Sequence, residues 1–263
     1  MTNAQNNIEL TGSQLLYDRP EALNSAVHAD LRYDNTLHDF GNAQSLHLVP
    51  LLVGEFPQAM LHYPIVFAGA ERTPLAVMGL QQGQNLFVKD GQFEPNVYIP
   101  AYLRRYPFTL AQGEGDQLVV CIDRAAKGFV TSDKDNGDGA RGGALFEDGE
   151  QTAFTKNAVR FLEEFEAERR STQEFINTVE ACGLFEVKNT IFQTGERREH
   201  LADYFGVSEE KLRELQNYKI ADLVKRGATA MIDMHLVSLR RWDDLIARRA
   251  RRKAEATPEA AAA

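Results

Sequence analysis

Asn85-Leu-Phe-Val-Lys-Asp-Gly-Gln-Phe93 sets an apolar run and a second short run on either side of an Asp-Gly pair. Asp and Gly both tolerate positive φ, so Asp90-Gly91 reads as a tight turn joining two antiparallel strands. Upstream, Leu46–Val53 is almost continuously apolar. Tyr63–Ala68 and Leu75–Leu80 are compact buried-strand runs flanked by Pro64 and Pro74. Downstream, Val97–Ile99 reads as a further strand. Pro100 suits the first turn of a helix over Ala101–Tyr106, which Pro107 stops. Phe108–Leu110 and Leu118–Asp123 read as a second hairpin joined through Gly113-Glu-Gly115.

The rest of the chain differs in pattern. Residues 1–43 are polar and poorly periodic and read as an arm, with a short helix at Pro20–His28. Residues 124–152 are rich in Gly and Asp and read as a surface loop. From Phe154 to Val179 apolar residues recur every three or four positions, the mark of one long amphipathic helix closed near Gly183. A short β excursion follows over Leu184–Val187, Thr190–Gln193 and Glu199–Phe205. Ser208 then caps a helix whose first turn carries Glu209 and Glu210. The last helix is expected over Ala228–Arg249, ahead of a disordered tail at 251–263. The expected fold is α+β: a β-rich N-terminal half of short, mostly antiparallel strands packed against a helical C-terminal half with a small β excursion. The expected organisation is a polar arm (1–43) and a single domain (44–250), β-rich over 44–123 and mainly helical over 153–250.

Charge and composition narrow the function. A net charge of −9 argues against a nucleic-acid partner, because a duplex-binding surface needs a basic excess to displace counterions. Met1–Asn7 has neither a cationic nor an apolar segment of the kind that directs secretion, and no apolar run reaches the length of a membrane span. A cytoplasmic location is therefore expected. Cys121 and Cys182 fit a reducing compartment, and Cys121 reads as a core residue of its strand.

The familiar catalytic signatures are missing. The sequence holds no G-x-x-x-x-G-K-[ST], no G-x-G-x-x-G after a strand, no G-x-S-x-G and no H-E-x-x-H. The six histidines show no pair at i, i+3 or i, i+4, and His28-Ala-Asp30 alone among them matches an H-x-D/E pattern.

Five features carry candidate chemistry, each with a structural reading beside it. Tyr98-Ile-Pro-Ala-Tyr-Leu-Arg-Arg-Tyr-Pro-Phe108 gathers Tyr98, Tyr102 and Tyr106 around Arg104 and Arg105. On a helix the tyrosines fall at i, i+4, and guanidinium groups stack on rings and grip carboxylates or phosphates. This is a candidate corner for binding a peptide or a small anion; the structural alternative is an internal ion pair. Glu55 follows an apolar run and Gly54, a setting that suits a general acid or base. Its structural alternatives are to cap the following turn or to pair with Arg104 or Arg105. His235 lies on the apolar stripe of the last helix with Met231, Ile232, Leu239, Trp242 and Leu245. It is a candidate haem or metal ligand, or a core histidine with its hydrogen bonds satisfied. Asp133–Gly139 has the flavour of a calcium loop but fails the EF-hand register, because Gly137 and Ala144 fall where ligands belong. The basic run Arg248–Lys253 is a candidate contact for nucleic acid or anionic lipid, and reads rather as a solvated helix end with cations at the negative pole of the dipole.

Taken together, several segments resemble the bacterial SapC family. They are Val49-Pro-Leu-Leu-Val-Gly-Glu-Phe56, Tyr63–Phe67, Met78–Leu80 with Asn85–Val88, Tyr98–Phe108, Cys121–Asp123, Leu145-Phe146 with Asp148–Glu150, and His235–Leu239. The resemblance runs from about Leu46 to Leu245. It implies an accessory role in nutrient uptake or peptide modification, alongside partner enzymes of flavin-dependent halogenase-like or cupin-like type. It supplies no catalytic residues and no cofactor. The alternatives are an enzyme of unrecognised type with a Glu/Arg site, a haem- or metal-handling protein, and a surface-layer-associated structural protein.

Overall fold

Asp90 has φ 51° and Gly91 φ 75°, the two positive values that a type I′ hairpin turn requires, and Val88 and Lys89 pair with Phe93 and Gln92 across it. The computed structural model describes residues 15–113, 117–131, 142–194 and 197–256; of residues 191–202 and Ala256 it describes the backbone. In chain order the strands are β1 Pro20–Ala22, β2 Leu31–Tyr33, β3 Leu48–Pro50, β4 Ile65–Ala68, β5 Thr73–Val77, β6 Val88–Lys89, β7 Gln92–Phe93, β8 Phe108–Gln112, β9 Leu118–Asp123, β10 Phe129–Thr131, β11 Gly143–Ala144, β12 Phe146–Glu147, β13 Glu150–Gln151, β14 Phe185–Thr194 and β15 Arg197–Val207. The helices are α1 Phe56–Ala59, α2 Ala101–Arg104, α3 Ala153–Ala181, α4 Glu209–Arg213, α5 Asn217–Lys225, α6 Ala228–Ser238 and α7 Arg241–Ala256. Short antiparallel strands dominate the N-terminal half and helices the C-terminal half, so the fold is α+β.

The chain divides into two compact units. One comprises residues 1–39 and 105–166, the other 40–104 and 167–263.

In the first unit β1, β9 and β8 form a sheet in that order, as do β10, β2 and β11, and β12 pairs with β13. Leu31, Phe108, Ile122, Leu145, Phe146 and Leu162 pack between them as a buried cluster. Two expectations change here. Pro20–His28 is not a helix: Pro20–Ala22 pairs with Asp123–Cys121, and the Asn24 side chain takes the Ala26 and Val27 N–H groups at 2.8 and 3.1 Å. That local turn competes with helical hydrogen bonding. The connection after Asp123 is not all loop, since it supplies β10 to β13. Asp133–Gly139 lies outside the described residues.

In the second unit the sheet runs β14-β15-β4-β5-β3. The β excursion is thus one long hairpin, added to strands drawn from more than 100 residues earlier. Phe67 on β4 meets Phe56, Phe175, Phe185 and His235 in ring contacts of 5.0 to 6.4 Å. Ser208 caps α4 as expected, accepting from Lys211 N–H. Val97–Ile99 forms no strand; its Tyr98 and Ile99 carbonyls accept from side chains instead. The expected helix Ala228–Arg249 breaks into α6 and α7. Ser238 Oγ takes the His235 carbonyl at 2.5 Å, the acceptor that Leu239 N–H would need to continue the helix, and Leu239 turns to Leu236 instead. Arg251–Ala256 continues α7 rather than beginning a tail, and residues 257–263 lie outside the described residues.

The basic run is not a solvated end either. Arg248 pairs with Glu94 and lies 4.2 Å from the centre of the Phe87 ring, Arg249 is buried, and Arg252 donates to the Val88 carbonyl at 2.8 Å. The run fastens α7 to the β6–β7 hairpin. Among the described residues no helix is long and apolar enough to cross a membrane.

Candidate functional site

The chain turns sharply after the apolar Leu51-Leu52, and Val53–Glu55 forms a single 3-10 turn ahead of α1. Thr172 on α3 holds that turn by accepting from Val53 N–H at 2.9 Å. The turn aims Glu55 inward, where only 7% of the residue is exposed. Its carboxylate is fully engaged. Oε2 accepts from Leu52 N–H at 2.7 Å, and Oε1 accepts from Ala101 N–H at 2.7 Å and from the Tyr98 hydroxyl at 2.8 Å. Ala101 opens α2, where an N–H has no partner within the helix, so Glu55 caps α2 from 46 residues away.

The same carboxylate organises the segment before α2. Tyr98 lends its carbonyl to the Tyr63 hydroxyl at 2.5 Å and its own hydroxyl to Glu55. Arg104 folds back over this segment. Its Nε donates to the Ile99 carbonyl at 2.9 Å and its Nη2 to the Tyr98 hydroxyl at 3.2 Å, with the guanidinium carbon 5.7 Å from the ring centre. Burial, followed by the charge of Glu55, pushes the Tyr98 phenol up to about 12, with Arg104 partly opposing. Tyr98 therefore keeps its proton and donates a hydrogen bond to Glu55, while it accepts one from Arg104. Arg104 reaches Glu55 through Tyr98 and is an exposed residue.

The remaining residues of the Tyr98–Phe108 corner lie elsewhere. The helix that would space the tyrosines at i, i+4 is short, since α2 covers only Ala101–Arg104. Tyr102 is buried. Arg105 belongs to the first unit, 4.7 Å from the centre of the Phe165 ring and 5.8 Å from that of Tyr17. Tyr106, also in the first unit, donates to Asp123 at 3.1 Å. The boundary between the units falls between the two arginines.

His235 is fully buried. Its Nδ1 donates to the Ile65 carbonyl at 2.8 Å and its Nε2 accepts from Val207 N–H at 3.1 Å. With Ser238 accepting from Ile65 N–H at 2.9 Å, α6 is stitched to β4 and β15. Burial lowers the imidazole to about 4, so it is neutral at pH 7. Both ring nitrogens serve the backbone, and a metal or haem would have to displace one of these bonds. His28 is similarly engaged, with Asn24 N–H at 3.0 Å on one nitrogen and Glu21 at 3.0 Å on the other. Among the described residues no three His, Cys, Asp or Glu groups converge as a metal would require. The two cysteines are free rather than paired.

Two buried carboxylates, Asp34 and Asp123, escaped the sequence reading, and Asp123 is the more fully buried. Asp123 accepts from Asp18 N–H, Arg19 N–H, Ala125 N–H and the Tyr106 hydroxyl at 2.9 to 3.1 Å. The signal available was the end of an apolar strand, Leu118–Asp123, on an acidic residue.

The structure thus defines an α+β protein with an exposed arginine tied through a tyrosine to a buried carboxylate. The chain belongs to the SapC family, whose model matches residues 23–245, as the resemblance of the quoted segments implied. No curated protein and no solved structure matches it.

Proposed function

We propose that this SapC-family chain is a binding or accessory protein that recognises a carboxylate or phosphate group, on a peptide or a small ligand, through Arg104. The observation that carries the reading is the state of Arg104: exposed at the surface, yet held in place by bonds that include those to Ile99 O and the Tyr98 hydroxyl. A guanidinium fixed in advance loses little freedom when it binds an anion, and its planar fork suits two parallel hydrogen bonds. Glu55 serves this site as an anchor; it orders Tyr98 and the start of α2. The bound peptide would be the substrate or product of a partner enzyme in the cytoplasm, in line with the accessory role that the family resemblance implies.

Calorimetric titration with inorganic phosphate and with short acidic peptides tests the reading. Arg104→Ala should weaken binding about tenfold or more, the worth of one charge-assisted pair. Arg104→Lys should recover only part of that loss, and Arg105→Ala should bind as wild type does. Undiminished binding by Arg104→Ala would sink the proposal.

A further inference from the structure

Among the described residues, strand β14 forms one edge of the five-stranded sheet. On its inner side it pairs with β15 from Phe185↔Val207 to Thr194↔Arg197. Ser208 N–H donates to the Leu184 carbonyl at 2.9 Å, which fixes the direction of that carbonyl toward β15. Backbone groups alternate sides along a strand, so Phe185, Val187 and Asn189 aim their N–H and C=O groups at the outer edge. Lys211 Nζ reaches the outward Phe185 carbonyl at 3.2 Å. Between these positions Val187 is 66% exposed, an unusual setting for a β-branched residue on a well-formed strand. Glu186 and Lys188 flank it and pair with each other.

We infer that β14 pairs antiparallel with β14 of a second copy of this chain, about a two-fold axis through Val187. An outer-edge ladder must match outward residues with outward residues, so within Phe185–Asn189 the axis can fall at Glu186, Val187 or Lys188. An axis at Glu186 sets two carboxylates face to face, and one at Lys188 sets two ammonium groups face to face; like charges in these positions destabilise a sheet. The axis at Val187 sets Glu186 opposite the partner's Lys188 twice, and the two Val187 side chains against each other. The register shift between Thr190 and Ile191, where β15 carries one extra residue, interrupts the regular pairing of β14 with β15 just beyond this segment. The result is a symmetric, isologous contact that extends the sheet across two copies.

Sedimentation equilibrium on the full chain, with far-UV circular dichroism to verify folding, tests this inference. Wild type should show a concentration-dependent monomer–dimer equilibrium. Glu186→Lys and Lys188→Glu should each weaken dimerisation about tenfold or more, since each replaces two attractive pairs with repulsive ones. The double variant, which swaps both charges, should restore it. In the dimer the Val187 and Asn189 amides should be protected from hydrogen exchange. A wild-type chain that stays monomeric at all concentrations, a dimer insensitive to both single reversals, or a folded double variant that does not recover would overturn the inference.

Discussion

Glu55 and Tyr98 are 43 positions apart in the chain and 2.8 Å apart in the fold, and their hydrogen bond is the hinge on which the candidate site turns. It converts a buried carboxylate into an orienting device for an exposed arginine. Removing the hydroxyl alone should therefore weaken recognition at only a modest cost to folding. Tyr98→Phe keeps the ring but removes an acceptor that holds Arg104. Affinity for an acidic peptide should drop about threefold to tenfold, with stability lowered by about 1 kcal/mol, the net worth of one hydrogen bond. Calorimetry and urea denaturation separate the two effects.

Glu55 itself should matter more to the fold. Glu55→Ala leaves three donors without their acceptor, two of them backbone N–H groups in buried surroundings. A loss of about 3 kcal/mol is expected. Glu55→Gln preserves one carbonyl oxygen and should cost less. Equal, negligible effects in denaturant melts would show that this carboxylate does not anchor the corner.

His235 gives the protein a specific acid sensitivity. Its pKa is lowered from 6.5 to about 4 in the folded state, so between these values the unfolded chain binds more protons than the folded one. Stability therefore falls as the pH drops from about 6.5 toward 4, by about 3 kcal/mol from this group alone. Glutamine can donate to Ile65 O and accept from Val207 N–H, yet has no proton to gain. The difference in stability between wild type and His235→Gln should shift by that amount across this pH window. A constant difference would contradict the assignment.

Asp123 should hold the first unit in the same manner. Asp123→Ala deprives Asp18, Arg19, Ala125 and Tyr106 of an acceptor at once. A destabilisation of about 3 kcal/mol is expected, with faster hydrogen exchange at the Arg19 and Ala125 amides. Unchanged exchange at both amides would argue against this role.

The elements legible in the sequence are those set by local chemistry. The Asp90-Gly91 turn, the long α3 and the Ser208 cap all follow from residues within a few positions of one another. What escaped depends on distant partners. Pro20–Ala22 is a strand because β9, 100 residues on, takes its backbone. The break between α6 and α7 is invisible in an apolar stripe that runs from Ile232 to Leu245, because a Ser238 hydroxyl bond to a helical carbonyl makes it. The candidate site was legible as a set of residue types in Tyr98–Phe108. Its division was not: adjacent arginines enter different units, and no local pattern announces a boundary between residues 104 and 105. Glu55 was found, but its bond to Tyr98 in place of an arginine rests on three-dimensional placement alone.

The most direct test of the central claim is to watch the Arg104 guanidinium itself. In nitrogen–proton NMR spectra, with the Arg104 signals assigned by comparison with Arg104→Lys, an acidic peptide is titrated into the protein. The account predicts saturable shifts of the Arg104 guanidinium signals, while those of Arg72, which caps its own loop at Gly69 and Ala70, stay in place. Saturable binding that leaves the Arg104 signals unmoved would contradict it.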